Sequence, residues 1–176
     1  MMAGGIPHHV EPRTLAAKQV LLQGSVEAKG FPRLQGVVSA VLGPVRASAQ
    51  FFRDEERRYA VEVTISASVT LVCQRCLDEF EWQVDSQALL AVVWNDEQVA
   101  KLPKRYEPVI TGSEMDFWGV LEDELLLALP TYPQHAGSAC APLPAGGKAE
   151  GDSQVNAAAE GRKPFAELAA LKGQLE

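Results

Sequence analysis

The chain has 176 residues, 47% of them apolar, 22% charged and 7% aromatic, the profile of a globular domain with a core, so collagen, coiled coil and wholesale disorder are excluded. The net charge of −7 is uneven: residues 1–60 carry 8 Lys and Arg against 5 Asp and Glu, whereas residues 61–176 carry 8 against 18. A pI near 5.0 speaks against a protein coated in RNA, and the longest apolar run, residues 88–94, is far short of the roughly 20 residues that cross a bilayer.

Residues 1–13 hold two His and two Pro but no basic stretch leading into an apolar one, which does not read as a secretory signal. A cytoplasmic protein is expected, and His8 and His9 read as part of a disordered tail. Residues 11–19, with Pro12 suited to a first helical turn, predict a short helix, and residues 20–27 an extended segment. From Val37 onward the pattern is β-like. Between residues 59 and 73, Val61, Val63, Ile65, Ala67, Val69 and Leu71 alternate with Glu62, Thr64, Ser66, Ser68 and Thr70, a period of two that places one face on a core. The charged residues 54–57 predict a hairpin turn before that strand. After it, Phe80, Trp82 and Val84 alternate with Glu79, Glu81, Gln83 and Asp85, and residues 88–94 continue as a more buried stretch. Short links between these strands imply an antiparallel meander.

Residues 95–101 predict a helical turn before Pro103. Ser113, followed three residues later by Asp116, resembles a capping box, and Phe117, Val120, Leu121, Glu124 and Leu125 fall at helical spacing, with Leu127 and Leu129 widening the apolar face. A helix is placed at 116–129, where Pro130 and Pro133 end it. The fold class is therefore α+β: an antiparallel sheet over about 37–94, one main helix and a short C-terminal helix. Residues 1–140 form the domain. Residues 141–163, rich in Ala, Gly and Pro, read as a flexible linker. Residues 164–176, with Phe165, Leu168 and Leu171 in a stripe, read as a short amphipathic helix that docks on the domain.

Cys73-Gln74-Arg75-Cys76 is the sharpest motif. A strand-turn-strand setting suits half a zinc site, whereas a thioredoxin-like pair sits at a helix start. In a reducing compartment the three Cys are not expected to form structural bridges. His135 and Cys140 supply an imidazole and a third thiolate, but 58 residues separate Cys76 from His135, so only the fold can join the halves. Three readings stay open: a four-ligand site for one structural zinc ion, a thiol pair with partial metal binding, and buried inert cysteines. Glu122, Asp123 and Glu124 are consecutive on a helix and diverge by about 100° each, so they do not converge on one metal; they read as a solvated face able to meet a basic partner. Arg53, Arg57 and Arg58 cluster at the predicted turn, and Lys101, Lys104 and Arg105 form a second basic group. No common catalytic template is met.

An ordered series of segments resembles the bacterial YceD family, whose members are called large ribosomal RNA subunit accumulation proteins. It comprises Val72-Cys73-Gln74-Arg75-Cys76-Leu77 with Phe80; Tyr106-Glu107-Pro108; Glu122-Asp123-Glu124-Leu125 leading to Leu127-Ala128-Leu129-Pro130; Pro133, His135 and Cys140; and Lys163-Pro164-Phe165 with Leu168 and Leu171-Lys172. The resemblance implies a cytosolic, non-catalytic factor for accumulation of large-subunit (23S) ribosomal RNA, and it groups Cys73, Cys76, His135 and Cys140 as one unit. An RNA-linked role for an acidic chain is reconciled if Glu122 and Glu124 meet a basic ribosomal protein or assembly factor and RNA contact is confined to Arg53, Arg57, Arg58 and residues 101–105. Neither a membrane nor a small-molecule substrate is expected. The rival reading is a metal- or thiol-dependent RNA-processing enzyme.

Overall fold

The computed structural model describes residues 5–136 and Cys140. The expected linker at 141–163 and helix at 164–176 lie outside the described residues. In chain order the elements are β1 (His9–Val10), α1 (Pro12–Ala17), β2 (Leu21–Val26), a 3-10 turn (Ala28–Gly30), α2 (Pro32–Val37), β3 (Ala40–Val41), β4 (Val45–Arg53), β5 (Tyr59–Val72), β6 (Glu79–Val93), α3 (Asp96–Val99), β7 (Glu107–Ile110), β8 (Met115–Asp116) and α4 (Phe117–Ala128). The α+β class holds.

The meander β4-β5-β6 is the centre of a sheet ordered β2-β4-β5-β6-β7, with β3 pairing on β5. The expected alternation along β5 is met: Val61, Val63, Ile65, Ala67, Val69 and Leu71 are all buried. They pack with Val45, Ala47, Ala49 and Phe51 of β4, Val84, Ala88 and Leu90 of β6, and Phe117, Leu121 and Leu125 of α4. The Phe51 and Phe117 rings lie 5.7 Å apart and join sheet to helix. One strand departs from the expected antiparallel plan, because β7 pairs with β6 in parallel, Leu90 opposite Glu107. Pro108 is tolerated there because β7 is an edge strand. Trp82, expected on the core side, is 38% exposed, although its cross-strand partner Val69 is buried.

Two local expectations are corrected. Asp116, not Ser113, caps α4, its side chain accepting from the Gly119 N–H at 3.0 Å. A Cβ at Gly119 would come within 2.7 Å of that carboxylate, so glycine makes room for the cap. Leu127 does not widen the buried face; it is 75% exposed.

The segment around His8 and His9 is not a free tail. β1 pairs with β8, the Phe117 N–H donates to the His8 carbonyl, and the Trp118 indole donates to the Ile6 carbonyl at 3.0 Å. His8 stacks on Trp118 and lies 3.2 Å from Asp116. Among the described residues no helix is long and apolar enough to cross a membrane.

Candidate metal centre and charged surfaces

The link between β5 and β6 is a tight knuckle. The Cys73 N–H donates to the Asp78 carbonyl, the Leu77 N–H returns to the Cys73 carbonyl, and Leu77 takes a left-handed φ of 66°. That reversal turns Cys73 and Cys76 toward the same side. The chain leaving α4 is stopped by Pro130 and returns to the knuckle, where the Gln74 N–H donates to the Pro133 carbonyl at 2.8 Å. Phe80 packs its ring 4.8 Å from that of His135.

As a result one donor atom from each of Cys73, Cys76, His135 and Cys140 lies within 4.8 Å of every other. The Cys73 and Cys140 sulfurs are 3.5 Å apart, and Cys76 Sγ is 3.4 Å from His135 Nδ1. Thiolates bound at about 2.3 Å around a tetrahedral ion stand about 3.8 Å from one another, so the spacing fits one ion. Cys73 and Cys140 are buried.

The electrostatics point the same way. Burial pushes the Cys73 thiol up, but N–H groups of Cys76, His135 and Arg75 and the Cys140 thiol outweigh it and bring Cys73 down to about 5. Cys76 receives the Asp78 N–H, yet burial and the neighbouring Cys140 and Cys73 push it up to about 12. Within the pair, Cys73 is thus the thiol that ionises readily and Cys76 the one that resists. A divalent cation removes that resistance. Four such ligands on one ion would leave no open coordination position of the kind a catalytic zinc uses.

The acids on α4 are placed differently from the solvated face expected of them. Glu122 is 4% exposed and Glu124 7%. Glu122 Oε1 accepts from the backbone N–H groups of Arg33 (2.7 Å) and Leu34 (3.0 Å), and Oε2 from Arg33 Nε (2.8 Å). It therefore caps the start of α2 from a distant helix and is not available to a partner. Arg33 bridges onward to exposed Asp123 at 2.6 Å. Glu124 is held by the Ser86 hydroxyl at 3.3 Å. Burial raises its pKa, and Glu107 and Asp123 add to the rise against the opposing Ser86 bond. Glu124 lines an open trough of about 670 Å³ between α4 and the β7 edge, with Asp123, Glu107 and Asp116 on its walls and Leu90, Val109 and Leu127 between them.

At the end of the sheet away from the Cys knuckle the basic groups divide. Arg58 is committed locally, at 2.8 Å to Asp54 and 2.6 Å to Glu56. Burial alone would raise the Asp54 pKa, but the Arg58 N–H and guanidinium and the Tyr106 hydroxyl hold it below its ordinary value. Arg53 and Arg57 are exposed. Sequence reasoning missed Arg33, Arg13, Tyr59 and Trp94 as parts of these surfaces, and no local pattern marks them.

Fold and cluster together define a class: a small α+β domain whose central hairpin carries a cysteine knuckle clamped to the loop after its main helix. Residues 61–172 match the family described as "Large ribosomal RNA subunit accumulation protein YceD". A protein of Haemophilus influenzae bearing that name is 30% identical over 137 residues, covering 77% of this chain and 79% of the relative. The chain belongs to this family. No solved structure matches it.

Proposed function

We propose that the protein is a non-catalytic factor required for accumulation of large-subunit (23S) ribosomal RNA, acting in the cytoplasm during biogenesis of the large ribosomal subunit. Membership of the family, and the name its Haemophilus relative carries, is the observation that supports this reading. Cys73, Cys76, His135 and Cys140 would hold one structural zinc ion. When bound, zinc supplies charge neutralisation for the thiolates and a cross-link between the β5-β6 knuckle and the loop after α4. This chain's own residues prepare the site: the Gln74–Pro133 hydrogen bond sets the loop against the knuckle, and Phe80 orients the imidazole.

The direct partner is a basic segment of a ribosomal protein or assembly factor. Its seat is the trough beside α4, where exposed Asp123 and Glu107 meet cations beside the buried Glu124 and exposed Leu127 and Ile110 meet apolar side chains. A thiol-dependent enzyme is disfavoured because Cys73, the thiol poised to ionise, is 0% exposed.

The test is deletion of the gene in its host, with the ratio of large- to small-subunit ribosomal RNA measured before and after complementation. A fall in that ratio, restored by the wild-type gene, is expected; an unchanged ratio overturns the reading. Zinc measured on protein purified without chelator or metal-affinity resin should be about one per chain and should be lost, with a fall in melting temperature, in Cys73→Ser, Cys140→Ser and His135→Ala. A metal-free wild type whose stability those changes leave alone would remove the ion from the proposal.

A further inference from the structure

Two basic groups far apart in sequence, at the 54–58 turn and at 101–105, are brought to one end of the sheet. A small second core does this: Tyr106 and Leu102 pack with Ala60, Ala91, Phe52 and Leu89 across the meander and draw the 101–105 segment beside the turn. Arg13 joins them from α1. Seven of the twelve Lys and Arg among residues 5–136 gather here (Arg13, Arg53, Arg57, Arg58, Lys101, Lys104, Arg105). Six acids lie in or beside these segments, Glu11, Asp54, Glu55, Glu56, Asp96 and Glu97, leaving net +1. The rest of residues 5–136 carries five cations against twelve acids, net −7. Among the described residues, Arg58 alone of the seven is in an ion pair.

The cations alternate with aromatic rings. Arg13 lies 3.8 Å over the Trp94 ring, Trp94 meets Tyr59 edge-on at 5.9 Å, and Arg53 lies 4.6 Å over Tyr59 while donating to its hydroxyl at 2.7 Å. Arg105 lies 4.9 Å over Tyr106. Between the two segments is a cleft of about 290 Å³, floored by Tyr59, Trp94 and Leu102 and rimmed by Arg57, Arg58 and Lys101. Arg58 Nη2 in that wall is the one buried side-chain nitrogen or oxygen among the described residues that has no hydrogen-bond partner. Arg57 stands at the turn with a left-handed φ of 63°, exposed to solvent.

We propose that this cleft binds single-stranded RNA, one base lodging against Trp94 and Tyr59 while the rim cations Arg57 and Lys101 take the flanking phosphates. The chemistry favours RNA over an acidic protein segment, because aromatic floors with cationic rims suit bases joined by phosphates and accept any base face. The inference rests on the ribosomal reading and adds to it a direct nucleic-acid contact. It also explains how an acidic chain touches RNA: the acidic trough is a separate surface, and the basic residues are concentrated in one place.

The test uses the full-length chain and a fluorescein-labelled, unstructured 12-nucleotide RNA, read by anisotropy across a salt series. Binding should weaken with salt at a log–log slope of about −0.7 for each phosphate neutralised, about −1.4 for the two that Arg57 and Lys101 take. Arg57→Glu with Lys101→Glu should weaken binding at least tenfold, and Trp94→Ala roughly tenfold. Arg46→Glu, a charge reversal on β4 away from the cleft, should leave it unaltered; circular dichroism checks that each variant is folded. No binding at low salt, equal losses from Arg46→Glu and the cleft pair, or stronger binding of a poly-glutamate peptide than of RNA each overturn the proposal. These outcomes are distinct from failure of the ribosomal reading. A chain that does not bind RNA but whose deletion still lowers large-subunit RNA refutes the cleft alone.

Discussion

Glu122→Ala removes the acceptor that closes the start of α2 from across the helix layer. Two backbone N–H groups lose their partner, those of Arg33 and Leu34, and Leu34 is wholly buried. Loss of a cap costs about 1 kcal/mol, and a buried donor deprived of a charged acceptor costs about 1.5–3 kcal/mol. The guanidinium of Arg33, 52% exposed, adds little because water replaces its partner. The sum is about 2–4 kcal/mol, and at roughly 3 °C per kcal/mol for a domain of this size the melting temperature should fall by about 6–12 °C. Calorimetry and urea unfolding of the wild type, Glu122→Ala, Glu122→Gln and Arg33→Ala measure it. Glu122→Gln, which keeps an acceptor oxygen, should lose roughly half as much, and Arg33→Ala clearly less than Glu122→Ala. The reasoning is refuted if Glu122→Ala costs less than about 0.5 kcal/mol, the range of ordinary surface changes, or if Arg33→Ala costs as much, since the ion pair and not the cap would then hold α2.

Glu124 carries the opposite sign. Its pKa is raised by burial and by Glu107, so the folded state favours the protonated form; its contribution is fully present below the unfolded pKa and is lost as pH rises through the folded one. Glu124→Gln should therefore raise the melting temperature at pH 8 and do little at pH 4; an equal effect at both would remove the titration argument. Gly30 faces Trp118, and a Cβ there would lie 2.8 Å from Val26 Cγ1 and 2.9 Å from the indole. Gly30→Ala should destabilise by about 1–3 kcal/mol and loosen the amino-terminal arm that Trp118 holds through Ile6, seen as faster amide exchange over residues 6–10; unchanged exchange would show that the arm is anchored elsewhere.

What the amino-acid sequence determined by itself was local and periodic. The two-residue repeat of β5, the charged turn before it, the helical spacing of Phe117, Leu121 and Leu125, and the setting of the Cys pair between strands are each written within a few neighbouring residues, because strand and helix periods are properties of the backbone alone. The parallel edge strand was not visible in this way: β7 has four residues, too few to show a period, and its pairing is decided by where the chain returns after α3. Nor was the fate of Glu122, which reads as a polar-face acid until α2, some ninety residues earlier, presents two unpaired N–H groups to it. The union of Cys73 and Cys76 with His135 and Cys140, and of the 54–58 turn with residues 101–105, belongs to the same kind. A site assembled from distant segments has no local signature, because its geometry comes from the packing of the elements between them: α4 and its proline stop in the first case, the small core around Tyr106 in the second.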